Sequence, residues 1–244
     1  MNIQPAPNEA ALLLSDHAAM VVADLHIGIE RELRDSGLSV PSQTRMMEAR
    51  LHTLISTYHI HDLYLLGDVK HNIPTSTIQE RTDVRYFLER LTAKVTVHIL
   101  PGNHDGNIDR LASPQVQIHP SSGITLDDLG LLHGHRWPST ELFQCERLIT
   151  AHTHPTVLFT DRLGYKSVEP CWLRGPCLTA KAQEKEPQAA CQQLIVLPAF
   201  NPLCGGIPVN KEPLLGPVSS LLDLKNTEVY LLDGTALGTI ADLT

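Results

Sequence analysis

Five short polar clusters in the sequence combine residue types that can bind metal ions. They are Asp24-Leu25-His26, Gly67-Asp68, Gly102-Asn103-His104-Asp105, His133-Gly134 and His152-Thr153-His154. Imidazole nitrogens and carboxylate oxygens suit zinc, manganese and iron, whereas the absence of cysteine from the clusters argues against a structural thiolate site. A single Asp-x-His or Gly-Asp is common by chance. Together and in this order, the clusters predict a centre that holds two metal ions.

Apolar runs in the first half of the chain predict the strands that carry these clusters. Residues 18–23, 62–66 and 95–100 are short and apolar, and each run leads directly into a polar cluster. Between them, residues 42–58 show the apolar spacing of one helix face, and residues 76–91 are also predicted to be helical. Strands that alternate with helices predict a βαβ arrangement, with the site at the carboxyl edge of the sheet.

Strand geometry suggests how one cluster binds an ion. In an extended segment, Asp24 and His26 leave the backbone on the same side, because side chains alternate with a period of two. Both side chains can then bind one ion. The same reasoning applies to His152 and His154, although either of these can turn toward a different ion.

The second half of the chain has a different texture. Short alternating stretches separated by turn residues favour β structure, much of it antiparallel. We predict strands at residues 116–119, 124–126, 129–132, 148–150, 157–160, 194–197 and 229–232. The polar segment 179–193 predicts an exposed loop between two of these strands.

Bulk properties narrow the class of protein. The 244 residues, 42% hydrophobic and 19% charged, suit a globular fold, and we expect one domain over residues 1–244. No apolar run approaches the roughly 18 to 20 residues that cross a bilayer, and the N-terminus lacks a signal pattern, so we expect a cytoplasmic protein without a membrane partner. The five scattered cysteines contain no CxxC pair and favour buried or incidental thiols. The net charge of -8 argues against a general nucleic-acid coat but leaves room for a nuclease, because bound metal ions add positive charge.

The ordered clusters resemble the calcineurin-like metallophosphoesterase superfamily, whose signature runs D-x-H, G-D, G-N-H-[D/E], H and G-H-x-H. The sequence matches all five blocks, except that Ala151 replaces the last glycine. The resemblance implies an α/β fold, a four-layer α/β/β/α sandwich. It also implies two divalent transition-metal ions, with manganese the first choice and iron or zinc the alternatives.

Carried over position by position, the resemblance assigns seven metal ligands. They are Asp24, His26 and His154 on one ion, Asp68 bridging to the second ion, and Asn103, His133 and His152 as the other ligands of the second ion. The resemblance makes His104 a catalytic residue that approaches the scissile phosphate as general acid or electrostatic stabiliser. Asp105 then orients the ring of His104 and raises its basicity.

The reaction that these roles imply is hydrolysis without a covalent enzyme intermediate. Two divalent ions roughly 3.5 to 4 Å apart can share a water molecule, lower its pKa toward neutrality and hold the phosphoryl oxygens for in-line attack by the bridging hydroxide. Charge in the transition state is stabilised by the metals and by His104.

A narrower likeness covers most of the chain and moves the expected substrate toward DNA. It rests on the stretches 37–41 (GLSVP), 67–71 (GDVKH), 133–138 (HGHRWP) and 197–202 (LPAFNP) with Gly205-Gly206. These stretches are similar to archaeal phosphoesterases related to the SbcD repair nuclease and to the bacterial ligase-associated DNA endonuclease called PdeM. The likeness implies a nuclease linked to DNA repair and, as a protein partner, a helicase or a ligase.

Three further residues are candidates for substrate binding. His71 and His135 lie where the narrower family also has histidine, and they suit either contact with substrate or hydrogen bonds that fix a loop. Arg136 could hold a phosphate as a planar donor, or it could simply be exposed.

The leading hypothesis is therefore a metal-dependent phosphodiesterase that acts as a DNA nuclease. One alternative is a hydrolase of small nucleotides that uses the same centre. The other is a metal-binding scaffold subunit of a nucleic-acid-processing complex with weak or lost catalysis, which the intact set of ligands opposes.

Overall fold

The computed structural model describes residues 2–243, and over that range the chain forms five α-helices and fifteen β-strands. The helices are α1 (Ile29–Asp35), α2 (Thr44–Thr57), α3 (Ile78–Thr92), α4 (Thr140–Phe143) and α5 (Thr179–Gln183). The strands are β1 (Ile3–Pro5), β2 (Leu12–Leu14), β3 (Ala19–Val22), β4 (Asp62–Leu65), β5 (Thr96–Ile99), β6 (Gln117–Ile118), β7 (Ile124–Leu126), β8 (Leu129–Leu131), β9 (Arg147–Thr150), β10 (Pro155–Thr160), β11 (Lys166–Pro176), β12 (Gln193–Val196), β13 (Ile207–Pro208), β14 (Glu228–Leu231) and β15 (Ala236–Thr239).

The first sheet has the order β1-β2-β3-β4-β5-β6. Strands β3 to β6 are parallel, and the hairpin of β1 and β2 adds an antiparallel edge. The register pairs Val22 with Leu65 and Leu65 with Ile99, so β3, β4 and β5 end level with one another. The loops that leave these three strands therefore start side by side.

The second sheet has the main order β13-β10-β11-β12-β9-β8-β7, and β14 and β15 extend it from β11. Its centre is parallel, because β9 pairs in parallel with both β8 and β12. The remaining pairs are antiparallel except for β10 with β13. The predicted β-rich second half is thus a mixed sheet.

Alternate residues of the strands pack into different layers. In β3, Met20 and Val22 join an apolar cluster with α2 and α3, whereas Val21 joins a cluster between the two sheets. In β9, Ile149 enters that same inner cluster, and Leu148 enters an outer cluster with α4 and α5. Burial of both faces explains why these strands read as continuous apolar runs. The four-layer prediction is confirmed.

The two long helices cover the outer face of the first sheet with apolar stripes. In α3 the stripe consists of Val84, Phe87, Leu88 and Leu91, at the spacing of one helix face. The helix begins after Thr77, whose hydroxyl accepts a 3.1 Å hydrogen bond from the amide of Glu80.

Several elements differ from the sequence expectations. Helix α1 was not predicted, because its seven residues are too few for a clear apolar period. Helix α5 lies in the segment predicted as an exposed loop, and its Ala182 is buried in the outer cluster. Strand β11 was not predicted, because one half is largely exposed beside β10 and the other is buried between β12 and β14.

Candidate metal centre

The loops after β3, β4 and β5 bring the first three clusters to one edge of the first sheet. Beyond the strands, the amide of Asp24 donates to the carbonyl oxygen of Gly67 over 3.1 Å, and the amide of His26 donates to the carbonyl oxygen of Asp68 over 2.8 Å. These bonds continue the parallel ladder past the end of the strands. Asp24, His26 and Asp68 are consequently held next to one another by backbone hydrogen bonds.

The second sheet presents its clusters to the same place. The loop after β8 carries His133, and the loop after β9 carries His152 and His154. The amide of Ala151 donates to the carbonyl oxygen of His133 over 2.8 Å, which ties the two loops together. The amide of His152 also donates to Asp24 Oδ2 over 3.3 Å, so the edges of the two sheets are in direct contact.

The backbone at the candidate ligands is not extended. Asp24, His26, Asp68, His152 and His154 have φ values of 56°, 40°, 51°, 73° and 43°, in the left-handed region. Such conformations cost residues other than glycine about 1–3 kcal/mol each, and they concentrate at functional sites. The extended geometry that we expected for Asp24-Leu25-His26 is therefore wrong. Turned backbone, rather than strand alternation, brings these side chains together.

Two glycines make room for the close approach of these loops. A Cβ atom on Gly67, at φ +76°, would lie 2.5 Å from His133 Nδ1. A Cβ atom on Gly102 would lie 2.2 Å from Asp68 Oδ1. Both distances are well below van der Waals contact, so any larger residue would displace candidate ligands.

The donor atoms form two groups that share Asp68. Ligand atoms of Asp24, His26 and Asp68 lie within 4.8 Å of one another, and so do those of Asp68, His133 and His152. His154 Nε2 lies 3.2 Å from Asp24 Oδ1, which adds it to the first group. The predicted ligands other than Asn103 are thus gathered around two neighbouring points.

Several donor atoms in these groups are buried and lack hydrogen bonds. Within residues 2–243, no hydrogen-bond partner is found for four buried ligand atoms, namely Asp24 Oδ1, His26 Nε2, His133 Nε2 and His154 Nε2. Leaving buried polar atoms unsatisfied costs free energy, and buried charges in proteins are usually paired or bound to metal. Four such atoms facing one small region fit the donor set of a divalent metal centre.

The two carboxylates are held ionised despite burial. Burial opposes ionisation of Asp24, but His154 and His133 outweigh it and hold the pKa of Asp24 below its usual value. For Asp68, burial is again outweighed, here by His133 and His26, and the pKa lies well below the usual range. Both side chains are therefore negatively charged and ready to bind cations.

The imidazoles fall into two classes. Burial lowers the pKa of His26 to about 3, and burial together with His133 lowers the pKa of His152 to about 4. Burial also opposes protonation of His133, but Asp68 and Asp24 raise its pKa to about 9. His154 belongs to the same class as His133, because Asp24 outweighs burial and raises the pKa of His154. In the metal-free protein, a proton on His133 partly neutralises the carboxylates.

The loop after β5 places the candidate catalytic histidine next to the shared carboxylate. The amide of His104 donates to Asp68 Oδ1 over 2.8 Å, and the rings of His104 and His26 have centroids 4.8 Å apart. Asn103, the remaining predicted ligand, is exposed in the same loop. His104 is therefore at the mouth of the centre, beside both donor groups.

Asp105 has a different role from the one that we expected. Its Oδ1 accepts hydrogen bonds from the amides of Val69 (2.9 Å) and Lys70 (3.3 Å), and its Oδ2 accepts from the amide of Gly102 (2.9 Å). The ring of His104 is instead oriented by a hydrogen bond between its Nδ1 and the carbonyl oxygen of His71. Asp105 therefore joins the loop after β5 to the loop after β4. The prediction that it orients the ring of His104 is wrong.

The three candidate substrate residues lie at different depths around the centre. His71 Nδ1 lies 3.2 Å from His26 Nδ1, and its Nε2 lies 2.6 Å from Glu32 Oε2. His135 is half-buried with its ring centroid 5.3 Å from that of His133, and burial followed by the charge of His133 lowers its pKa to about 4. Arg136 is exposed, and its Nη1 donates to Ser121 Oγ over 2.7 Å.

The sequence profile described as calcineurin-like phosphoesterase matches residues 18–175. The chain belongs to this family.

Among solved structures, the nuclease MPE of Pseudomonas putida is 20% identical, with a TM-score of 0.59, and the match covers 97% of this chain and 100% of that chain. The phosphoesterase Yfce of E. coli is 19% identical over 90% of this chain and 96% of that chain, with a TM-score of 0.40. No curated protein sequence shows a significant match to this chain. The likeness to MPE supports the overall fold.

Membership in the calcineurin-like phosphoesterase family makes the chain a metal-dependent phosphoesterase with a dinuclear divalent metal centre. The two donor groups that share Asp68 contain the residues that could hold such a centre. Among residues 2–243, no helix combines the length and the apolar character needed to cross a membrane.

Residues outside the five clusters support the centre and were not predicted from sequence. Buried Glu80 accepts hydrogen bonds from the amides of His71 (2.8 Å) and Asn72 (2.7 Å) and so fixes the loop that orients His104. Asn201 Nδ2 donates to the carbonyl oxygen of Leu25 over 2.8 Å. The motif at 197–202 was noticed as a family likeness, but its contact with the first cluster depends on tertiary structure.

Proposed function

We propose that this chain hydrolyses phosphodiester bonds with two bound metal ions and acts as a DNA nuclease. The observation that carries the proposal is the position of Asp68, whose carboxylate belongs to both donor groups. A single carboxylate between two sets of donors is the arrangement that holds two ions close together.

The assignment of ligands follows from the two groups. Asp24, His26 and His154 would hold one ion, and His133 with His152 would hold the other, with Asp68 between them. Asn103 would add an amide oxygen to the second ion from its exposed position. Manganese is our first choice of metal, with iron and zinc as alternatives, because mixed carboxylate and imidazole sites suit all three.

Bound metal ions would supply Lewis acidity, which polarises the phosphoryl oxygens and lowers the pKa of a water molecule toward neutrality. The protein residues then act on the rest of the reaction. His104 faces the scissile phosphate from the mouth of the centre, stabilises charge there and provides a proton to the departing oxygen. Its orientation is fixed by the carbonyl oxygen of His71, which leaves Nε2 as the atom that meets substrate.

Support for a nucleotide substrate comes from a groove beside the first donor group. The groove has a volume of about 440 Å³ and runs from His154 to Gly206, with Pro155, Pro170 and Ala199 in its walls. Its size is within the range of small-molecule sites, and its mostly apolar lining suits a nucleoside next to a phosphate. The full-length fold likeness to the nuclease MPE favours a nucleic acid as the source of that nucleotide.

The remaining candidate residues would contact the nucleic acid around the scissile bond. His71 and His135 flank the two donor groups, on the sides of His26 and His133 respectively. Arg136 follows His135 and is exposed, so its guanidinium can bind a backbone phosphate. These contacts would bind a nucleic-acid strand to the enzyme even though the net charge of the chain is -8.

The test is reconstitution of metal-free protein with Mn²⁺, Fe²⁺ or Zn²⁺, followed by assays on bis-p-nitrophenyl phosphate, single-stranded DNA and duplex DNA. We expect turnover of the generic diester and of at least one DNA substrate. Hydrolysis of the generic diester and of small nucleotides alone would replace the nuclease by a nucleotide phosphodiesterase. No turnover with any metal would favour the scaffold subunit.

A further inference from the structure

A sulfur atom lies next to the first donor group, although the sequence clusters contain no cysteine. Cys204 Sγ and one ring nitrogen from each of His26 and His154 lie within 4.8 Å of one another. The two histidines are the ones that the proposed function places on the first ion. Two imidazole nitrogens and one sulfur atom therefore surround the same point.

The histidines in this group point to a bound cation independently of the cysteine. His26 is 4% exposed, and its Nε2 is buried without a hydrogen-bond partner among residues 2–243. His154 Nε2 is also buried without a hydrogen-bond partner among residues 2–243, while its Nδ1 forms a 3.0 Å hydrogen bond with the carbonyl oxygen of Gly205. That contact leaves Nε2 as the atom of His154 that faces inward.

The thiol is held in position by the motif that follows β12. The amide of Phe200 donates to the carbonyl oxygen of Ala23 over 2.9 Å, and Asn201 Nδ2 donates to the carbonyl oxygen of Leu25. The amide of Cys204 then donates to the carbonyl oxygen of Asn201 over 3.1 Å, and its Sγ lies 3.6 Å from the carbonyl oxygen of Asp24. These bonds fix Cys204 to the segment that carries the first two ligands.

We propose that Cys204 is a thiolate ligand of the ion held by Asp24, His26 and His154. The inference rests on the proposed dinuclear centre and specifies the metal of one half of it. When the metal–sulfur bond forms, the thiol proton passes to solvent and no electron is transferred. Because thiolate is a soft ligand, this half of the centre prefers Zn²⁺, Co²⁺ or Fe²⁺ to Mn²⁺, and manganese remains the first choice only for the other half.

The other cysteines provide a matched control. Cys191 is completely buried in the outer apolar cluster with Cys177 and Cys171, on the far side of the second sheet from the cluster between the sheets. Its Sγ contacts the carbonyl oxygen of Gln193 at 3.6 Å. A Cys191→Ser variant therefore changes a buried thiol of the same chain without touching the donor groups.

The experiment is titration of the metal-free full chain with Co²⁺, followed by absorption spectroscopy. Visible d–d bands report cobalt in the centre, and a sulfur-to-cobalt charge-transfer band in the near ultraviolet reports a thiolate ligand. We expect both bands in the unchanged protein. Cys204→Ser should lose the charge-transfer band and keep the d–d bands, whereas Cys191→Ser should keep both. The ratio of Zn²⁺ to Mn²⁺ affinity should fall about 10-fold or more in Cys204→Ser.

The outcomes separate this inference from the proposed function. Cobalt d–d bands without a charge-transfer band in the unchanged protein overturn the thiolate ligand and leave the dinuclear centre intact, whatever the folding of the variants. A charge-transfer band that survives in Cys204→Ser, or disappears in Cys191→Ser, also overturns it. Failure of the unchanged protein to bind cobalt would overturn the centre itself.

Discussion

The two halves of the proposed centre differ in what supplies and supports their donors. The first half combines Asp24 and His26 from the first sheet with His154 from the second, and Cys204 lies beside it. The second half takes both of its histidines from loops of the second sheet. Asp24 is fully buried, whereas Asn103, proposed for the second half, is exposed.

Each half combines two kinds of histidine. Burial lowers the pKa of His26 to about 3 and that of His152 to about 4. Neighbouring carboxylates outweigh burial and raise the pKa of their partners, His154 in the first half and His133 in the second. What distinguishes the first half is Asp24, a buried carboxylate of its own besides the shared Asp68. Two neighbouring sites with one shared carboxylate therefore need not be equivalent, and we expect the first half to bind its ion more tightly.

Asp68→Asn should give the largest effect, because it weakens both halves at once. The change keeps the shape of the side chain but removes the shared negative charge. We expect activity to fall by more than about 10⁴-fold, which exceeds the effect of removing a single proton-transfer group. At micromolar concentrations of metal, the variant should bind neither ion. The measurement is diester hydrolysis together with metal content. The control is Asp109→Asn, an exposed carboxylate in the turn Ile108–Arg110, which should leave both unchanged. Full metal content in Asp68→Asn would contradict the shared role.

His104→Ala should separate catalysis from metal binding in both halves. Its ring approaches the centre but is oriented by the carbonyl oxygen of His71. We expect activity to fall by about 10²–10⁴-fold while two metal ions remain bound, because a positioned proton-transfer group contributes on that scale. Activity on a substrate with a good leaving group should fall less than activity on DNA. An unchanged rate on DNA would remove His104 from the mechanism.

His152→Ala and His154→Ala should test the two halves one at a time. His152 belongs to the group with Asp68 and His133, whereas His154 faces Asp24. We expect each variant to retain one of the two ions. Activity should fall by about 100-fold, because even the loss of a residue that only supports a metal ligand lowers activity by about 10–100-fold. With cobalt, the charge-transfer band of Cys204 should persist in His152→Ala. If both variants lost the same ion, the division into two halves would be wrong.

The pH dependence of metal binding should reveal the protonated histidine of the second half. At pH 7, a pKa of about 9 keeps His133 protonated in the metal-free protein, so a binding ion must displace that proton. The affinity of the second ion should rise about 10-fold per pH unit up to pH 9. Calorimetry in two buffers of different ionisation enthalpy measures the released protons. Uptake of protons on binding would reverse the sign and refute the assignment.

The positions of the clusters could be predicted because strand ends can be identified from apolar runs. Val22, Leu65 and Ile99 end their strands level with one another, so Asp24, Asp68 and the loop after Ile99 had to meet. The same principle applies to the parallel strands β8 and β9 of the second sheet. The convergence of the donors therefore follows from patterns along the chain, whereas the four-layer fold was implied by the family resemblance.

Other features depend on contacts that no local pattern encodes. Cys204 reaches the carbonyl oxygen of Asp24 from a distant part of the sequence, so it looked like an incidental thiol. Asp105 follows His104 in the chain, which suggested a contact between their side chains. The turned loop instead directs Asp105 to the amides of Val69 and Lys70. Left-handed backbone at Asp24 and His26 was likewise not predictable, because those residue types adopt it only when their surroundings require it.

Glu80 provides the smallest and sharpest test of how the loops position the catalytic histidine. Its Oε1 accepts from the amides of His71 and Asn72, and the carbonyl oxygen of His71 orients His104. Glu80→Ala should lower kcat by about 10-fold with metal content unchanged, on the scale of a lost supporting residue. Glu80→Gln keeps an acceptor oxygen at the same position, so it should retain most of the activity. If both variants lost activity equally, the charge of Glu80 rather than its hydrogen bonds would be what matters, and the proposed positioning of His104 through His71 would fail.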